Sequence, residues 1–579
     1  MNASFFLKIL LCTSLLIPAI DAECLCGEHF GDIRAEITAQ TEGESQHGYL
    51  EYRIQLKNNS PANPHQVEIV FGNPGSSSMR SNIIREMRKT VVIAPGSGMT
   101  VSMMQPALTM PVSSAAVFID GVGQLSRLPV PYCEHARDYY AKNKLCVMVS
   151  PSVNRDDLLR RLEQTAGLTE KNFSLIRSVF PLSSWSDNWL AYSRYDGIIV
   201  TDNDMKIMPV PVKWALLAYV KCGGTLTVFG DDFQIAEAPA ESDAEKTVYH
   251  AGFGQCIVFP VASASQLSDM QVNYIHSIWR QTLLPWHKFD SPASANAEFP
   301  VVEDLEINVR GFFLGMLIFV IAVGPVNFFV LSRKKKKIWL LWTVPVISLF
   351  TCAAVFLYAV FSEGMDSDAR LSAFTILDEN RHEAATLGMA AYYCRLTPGK
   401  GLRFSEDTEI QAIVSQNYRD GTPRTINWTN GQYLESGWIT ARVPAHFQIR
   451  KYETRRERLQ ISTGSEPYVV NGLGSDIREL WICDADGRFF HEKNIPAGKR
   501  KFLKRQPGKK NTGQYHGKLK NIYKEFKWKN PELWAAAMSA PGTYTAILDG
   551  CPFLEKGLEN ADRLTADAIV FGIMAAPEK

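Results

Sequence analysis

The chain has 579 residues, and its 61 Lys plus Arg nearly balance its 60 Asp plus Glu. At about 100 to 200 residues per domain such a length excludes a single core and predicts about three to five domains. The charge balance excludes a whole-chain field steering it toward nucleic acid, so any basic site must be local.

Met1 to Lys8 leads into an apolar run from Ile9 to Ile20, and Ala22 supplies the small residue expected before a cleavage point. Residues 1–22 are therefore read as a secretory signal peptide, with an uncleaved anchor helix as the alternative. Either one exports the region C-terminal to it. A lipoprotein signal is disfavoured because Asp21 and Glu23 stand just before Cys24. Of the 11 cysteines Cys12 lies in the signal and Cys352 in an apolar span, and export makes pairing of the other nine permissible. For Cys146, Cys256 and Cys483, in apolar strand-like runs, burial as small hydrophobes is the competing expectation.

From residue 24 to 132 short alternating runs are broken by turn residues, as in Tyr49 to Lys57, then Asn58-Asn59-Ser60-Pro61, then Gln66 to Phe71. That rhythm predicts an N-terminal β-sandwich. Between residues 140 and 300 it changes to strand, helix, strand, with strands at Leu145–Val149, Gly197–Val200, Thr225–Phe229 and Cys256–Phe259. A parallel α/β sheet is expected there.

Two uncharged runs come next, 311–331 and 338–361, each long enough to cross about 30 Å of hydrocarbon. Arg333, Lys334, Lys335, Lys336 and Lys337 lie between them, with Glu303, Asp304, Glu306, Glu363, Asp366 and Asp368 outside. Short basic loops stay cytoplasmic, so the first span runs inward, the second returns, and both soluble regions lie outside. This agrees with the signal peptide and places the chain in the cell (inner) membrane, both termini extracytoplasmic. Pro325 and Pro345 within the spans require neighbours for the backbone groups they free, so the two helices are expected to pack together or on a partner. No ionisable residue lies within either span, which argues against an ion path. Residues 366–579 are β-rich again, and a second β-sandwich region, or two small ones, would account for them.

The segment Tyr195-Asp196-Gly197-Ile198-Ile199-Val200, a helix, and Tyr219-Val220-Lys221-Cys222-Gly223-Gly224-Thr225-Leu226 resembles the class I glutamine amidotransferase-like (flavodoxin-like) fold. Together with Gly324-Pro325-Val326-Asn327-Phe328-Phe329, Trp342 and Pro345 it is similar to bacterial membrane proteins in which such a domain precedes a transmembrane hairpin. The resemblance covers about residues 140 to 361 and is specific to architecture rather than activity. It implies association with envelope proteins, an AAA-type ATPase system or an ABC-type exporter. An active amidotransferase places a nucleophilic Cys in the turn after a strand, beside a helix N-terminus, with a His and Glu as base pair. Here that turn reads Phe229-Gly230-Asp231-Asp232, and Cys222 precedes the strand. The inherited chemistry is therefore expected to be absent.

Asp202, Asp204, Asp231 and Asp232 follow two of the strands and are expected to share the crevice where open α/β sheets bind ligands. They could hold a cation or a polar ligand. Solvated loop acids that cap helices are the plainer alternative. The 11 histidines show no metal-ligand spacing, and no phosphate-binding loop occurs, so neither metal nor cofactor is expected. Asn58, Asn172 and Asn427 begin sequons that matter only in a eukaryotic secretory pathway. Lys499 to Lys529 holds 12 Lys or Arg against Glu525, interleaved with aromatics. Outside the cytoplasm its polyanions would be lipid headgroups or envelope polymers rather than nucleic acid; a basic loop without a partner is the plainer reading.

The expectation is a non-enzymatic, membrane-anchored binding or scaffold protein of the cell envelope. The alternatives are an extracytoplasmic hydrolase or transferase using the acidic crevice, and a binder of envelope glycan.

Overall fold

The computed structural model describes residues 26–575, apart from 46, 73–82, 111, 132, 134–143, 170, 236–239, 287–290, 303–308, 336, 364–365, 415–421, 463–465 and 506–539. The expected signal peptide, Cys12, Cys24, Lys336 and most of the Lys499 to Lys529 segment thus lie outside the described residues. The protein is mixed α/β with strand predominating.

The α/β sheet is seven-stranded. Its parallel strands lie in the order Phe173–Arg177, Leu145–Val149, Gly197–Thr201, Thr225–Phe229 and Gly254–Phe259, and Thr247–Ala251 and Ala240–Ser242 extend one edge antiparallel. In chain order the parallel set reads second, first, third, fourth, fifth. The strands are apolar runs rather than alternating ones because both faces are covered. Leu158 and Leu162 of the Arg155–Ala166 helix and Val272, Ile275 and Trp279 of the Asp269–Trp286 helix cover one face. The Val210–Lys221 helix and the Trp189–Tyr192 turn cover the other.

Residues on the two sides of the apolar helices do not build separate sheets. The Ile84–Ile93 strand pairs antiparallel with His65–Gly72 and, on its other edge, parallel with Arg424–Asn427, so three C-terminal strands complete an eight-stranded sheet begun by the N-terminal region. Arg88 clasps Glu435 with Nη2 at 2.6 and 2.8 Å from its two carboxylate oxygens. A four-stranded sheet, Cys26–Phe30, Ile33–Ala39, Tyr49–Asn58 and Gly98–Pro106, meets it through Tyr52 edge-on to Phe71 at 5.0 Å. The rest of the C-terminal region forms a nine-stranded sheet and a small three-stranded one. In the nine-stranded sheet Glu383–Cys394 is buried along its whole length, with sheet neighbours on both edges and the α/β unit reaching it through the Lys221–Glu383 ion pair and Phe299 on Met389 and Ala391.

The four larger sheets meet around the segment just before the Gly197–Thr201 strand. The Ser193 carbonyl accepts from Arg450 Nη2 at 3.1 Å and faces His47 Nδ1 at 3.0 Å, while the Ser193 hydroxyl accepts from the Tyr49 amide at 2.9 Å. Arg450 pairs with Glu409 at 2.6 Å, both 1% exposed, and its guanidinium lies over Trp189. Tyr49 accepts from the Ile410 amide and from Gln432, and lies edge-on to Trp428. Gly48 is required here: its φ is +71°, and a Cβ would overlap the Ser193 and Arg194 backbone.

The segment between the regions is helical over Val309–Ile321, Ala322–Val326 and Asn327–Arg333, and again over Leu340–Glu363. Ala322–Val326 is a π turn around Pro325, the local widening by which a helix accommodates a residue with no amide hydrogen. Among the described residues one helix, Met316–Arg333, is long and apolar enough to cross a membrane, and a shorter apolar stretch, Leu340–Ala354, lies in the next helix. Asn327 and Thr343 exchange side-chain hydrogen bonds between them at 2.9 and 3.2 Å.

The eight cysteines whose side chains are described, from Cys133 to Cys551, are free thiols, five of them buried. Cys146, Cys256 and Cys483 thus take the small-hydrophobe role.

Removing one partner of the Arg450–Glu409 pair strands a buried charge. R450M or E409Q should cost about 3 to 5 kcal/mol in denaturant unfolding, and R450M/E409L less than either alone. A pH effect arises at His446, whose Nε2 donates to the Phe299 carbonyl at 3.0 Å and whose Nδ1 is buried without a hydrogen-bond partner among the described residues. Burial lowers its pKa, so the folded protein holds the neutral ring. The contribution to stability is complete above the ordinary value of about 6.5 and is lost as pH falls through the lower folded value. Melting temperature should fall from pH 7.5 to 5 less steeply in H446Q than in the unaltered chain.

Candidate functional site

The crevice above the α/β sheet is built by register. Thr201 pairs with Phe229, so the two strands end level and Asp202 arrives beside Gly230. The Gly230 amide donates to the Phe259 carbonyl, and its φ of +130° turns the chain so that Asp231 and Asp232 point toward Asp202. A Cβ at Gly230 would overlap the Asp202 carboxyl. Carboxylate oxygens of Asp202, Asp231 and Asp232 then lie within 4.8 Å of one another.

Asp204, expected in the same crevice, does not join them. It lies at the third position of the Asp202–Ile207 helix and forms a capping box with Thr201, accepting from the Thr201 amide at 2.9 Å and from the buried Ser150 hydroxyl at 2.5 Å. Its role is to fix the helix start that carries Asp202. Of the plainer expectation, solvated loop acids that cap helices, the capping role falls to the buried Asp204, Asp202 lies in the first turn of the same helix, and Asp231 and Asp232 are exposed in the turn after their strand.

Lys206 completes the cluster and was not singled out from the sequence. Its ammonium is 2.8 Å from Asp232 and 3.7 Å from Asp202. The hydrogen bond from Lys206 holds the Asp232 carboxyl below its ordinary range, and Asp232 in turn raises the Lys206 pKa. The spacing of Asp202 and Lys206, one helical turn, is the signal that could have found it. Three carboxylates and one ammonium leave an acidic rim that could hold a cation or a polar ligand, with Lys206 already in part of that position.

Cys222 follows the Val210–Lys221 helix as its C-terminal cap, fully buried, with burial pushing its thiol well above the ordinary range. A thiolate nucleophile needs an accessible position, and at Cys222 burial outweighs the neighbouring Arg450 and Lys221 charges.

No family model matches the chain, and no curated protein matches it. Among solved structures, a GH20 exo-β-N-acetylglucosaminidase from Vibrio harveyi aligns at 12% identity over 44% of this chain and 37% of that one, with a TM-score of 0.12. A cycloisomaltooligosaccharide glucanotransferase from Paenibacillus sp. aligns at 9% identity over 34% and 38% of the two chains, with a TM-score of 0.13. The chain thus spans less than two fifths of either structure.

G230A should cost roughly 1 to 3 kcal/mol in denaturant unfolding, because it adds both backbone strain and overlap with Asp202. K206A, which removes only exposed ion pairs, should stay within about 0.5 kcal/mol.

Proposed function

We propose that the chain is a two-pass protein of the cell membrane whose extracytoplasmic regions form one non-catalytic scaffold for envelope protein partners. The observation that carries the reading is the pair of apolar helices tied by Asn327 and Thr343, otherwise largely exposed, standing between two regions that share a sheet. Asn327 and Thr343 supply the kind of polar contact that binds helices in lipid. Arg333, Lys334 and Lys335 at the hairpin tip favour the cytoplasmic side. The shared sheet supports both soluble regions lying together on the opposite side, which is the topology that the signal peptide reading also gives.

The sandwich and amidotransferase-like assignments belong to this reading. Support for the second comes from the strand order, which is that of flavodoxin-like sheets. Support for a non-catalytic role comes from Cys222, buried at a helix C-terminus, and from the acidic turn where a nucleophile would stand. The partners are envelope proteins, including an AAA-type ATPase system or an ABC-type exporter, an expectation from layout alone.

Cysteine labelling with a membrane-impermeant maleimide tests the topology. L125C, on the N-terminal region, should label in cells whose outer barrier is permeabilised, and K335C only after the cell membrane is lysed. Equal labelling of both contradicts the reading. Mild detergent extraction tests the scaffold role: one or more envelope proteins should co-purify in constant ratio, and reproducible recovery of the chain alone would count against it.

A second reading, a hydrolase or transferase, is favoured by the convergence of Asp202, Asp231 and Asp232. It requires D202N and D232N to abolish a measurable hydrolytic or transfer activity of the purified chain while leaving its melting temperature unchanged.

A further inference from the structure

A cleft of about 400 Å³, counted to its open mouth, lies where the Tyr49–Asn58 strand of the N-terminal region meets the α/β unit. Its apolar walls include Leu50, Met148 and Phe180, and its charged lining is Glu51, Arg53 and Arg194. The enclosed part is small, so only a compact group enters fully.

The three charges are not balanced. Glu51 is already engaged: it accepts from Arg53 Nε at 2.9 Å and from the hydroxyls of Ser102 at 2.6 Å and Ser186 at 3.0 Å. Arg194 is 1% exposed, and its guanidinium is held by the carbonyls of Gln40, Glu42 and Gly43 with no carboxylate partner among the described residues. Arg53 spends only Nε on Glu51 and lies 4.5 Å above the Phe180 ring. Its two terminal amino groups have no acceptor among the described residues. Among the described residues, two guanidinium groups therefore face one carboxylate, which leaves one of them without a carboxylate partner there at a largely buried place. Such a charge is costly unless an anion meets it.

From this arrangement we infer a binding site for a small carboxylate ligand with a short apolar tail, of roughly six heavy atoms. The planar fork of Arg53 matches a carboxylate with two parallel hydrogen bonds, and Arg194 adds attraction from behind. The tail lies against Phe180 and Leu50. A bare phosphate would gain the charge but leave the apolar walls unused. Because the cleft joins the N-terminal region to the α/β unit, an occupant would brace the two against each other.

Calorimetric titration of the full chain in detergent, at fixed ionic strength, tests the site with butyrate, its uncharged analogue butyramide, and inorganic phosphate. Butyrate should bind with a Kd on the order of 1 mM, and butyramide and phosphate at least about tenfold more weakly. R53Q should weaken butyrate by about tenfold or more. A191F, which keeps both arginines and fills the cleft, should abolish binding while leaving the melting temperature of the chain nearly unchanged. Equal binding of butyrate and butyramide would overturn the inference, as would phosphate binding as tightly as butyrate, or no butyrate binding up to about 50 mM. The comparison of butyrate with butyramide uses the unaltered chain, so it decides even where a variant fails to fold.

Discussion

The Ser193 carbonyl, with Arg450 on one side and His47 on the other, is the contact that the arrangement of the whole molecule depends on. Ser193 belongs to the α/β unit, His47 to the region before it and Arg450 to the region after the apolar helices. None of the three could make this contact without the others folded in place. A buried guanidinium tolerates few environments, and this one is met by Glu409, by two backbone carbonyls and by the Trp189 ring. Glu409 and Arg450 face each other on adjacent strands of the nine-stranded sheet, and the α/β unit adds the Cys222 and Ser193 carbonyls and the Trp189 ring that complete the setting of the guanidinium. The net stability that such a buried ion pair contributes is often small against an apolar replacement.

Around that junction the layers share one continuous core. Buried residues from Phe30 through Tyr219 to Val570 belong to a single cluster, and the Arg424–Asn427 strand extends the sheet of Ile84–Ile93. The strands on either side of the apolar helices thus close on each other, so a hairpin between them need carry no load of its own. In the proposed topology the membrane pair is a tether, and what it tethers is one body rather than two modules. The acidic crevice and the Arg53 cleft lie at separate places on that body, one above the α/β sheet and the other at its seam with the N-terminal region.

Local pattern carried the elements well. The Leu145, Gly197, Thr225 and Cys256 strands were readable as apolar runs separated by helical ones, and the N-terminal strands as alternating runs bounded by turns. The convergence of Asp202 with Asp231 and Asp232 was also readable, since residues after neighbouring parallel strands must share a crevice. What could not be read was the long-range pairing. Nothing in Ile84–Ile93 announces that its free edge will be filled by a strand more than three hundred residues later, because edge pairing is decided by backbone groups that every residue has. Arg450 and Glu409 were equally silent, each an ordinary charge in a β-rich stretch. Asp204 was misplaced for a different reason: the choice between facing a crevice and capping a helix turns on Thr201 and Ser150, whose positions only the fold supplies.

The shared sheet is the claim on which the single-body account stands, and a cross-link measures it most directly. Thr425 lies opposite Glu86 in the parallel pairing. In membranes containing the E86C/T425C chain, mild oxidation should join the two positions in most molecules, detected as a linked peptide by mass spectrometry, with no such link in either single variant. If residues 86 and 425 remain unlinked while the chain stays folded, the N-terminal and C-terminal regions do not share a sheet and the account fails.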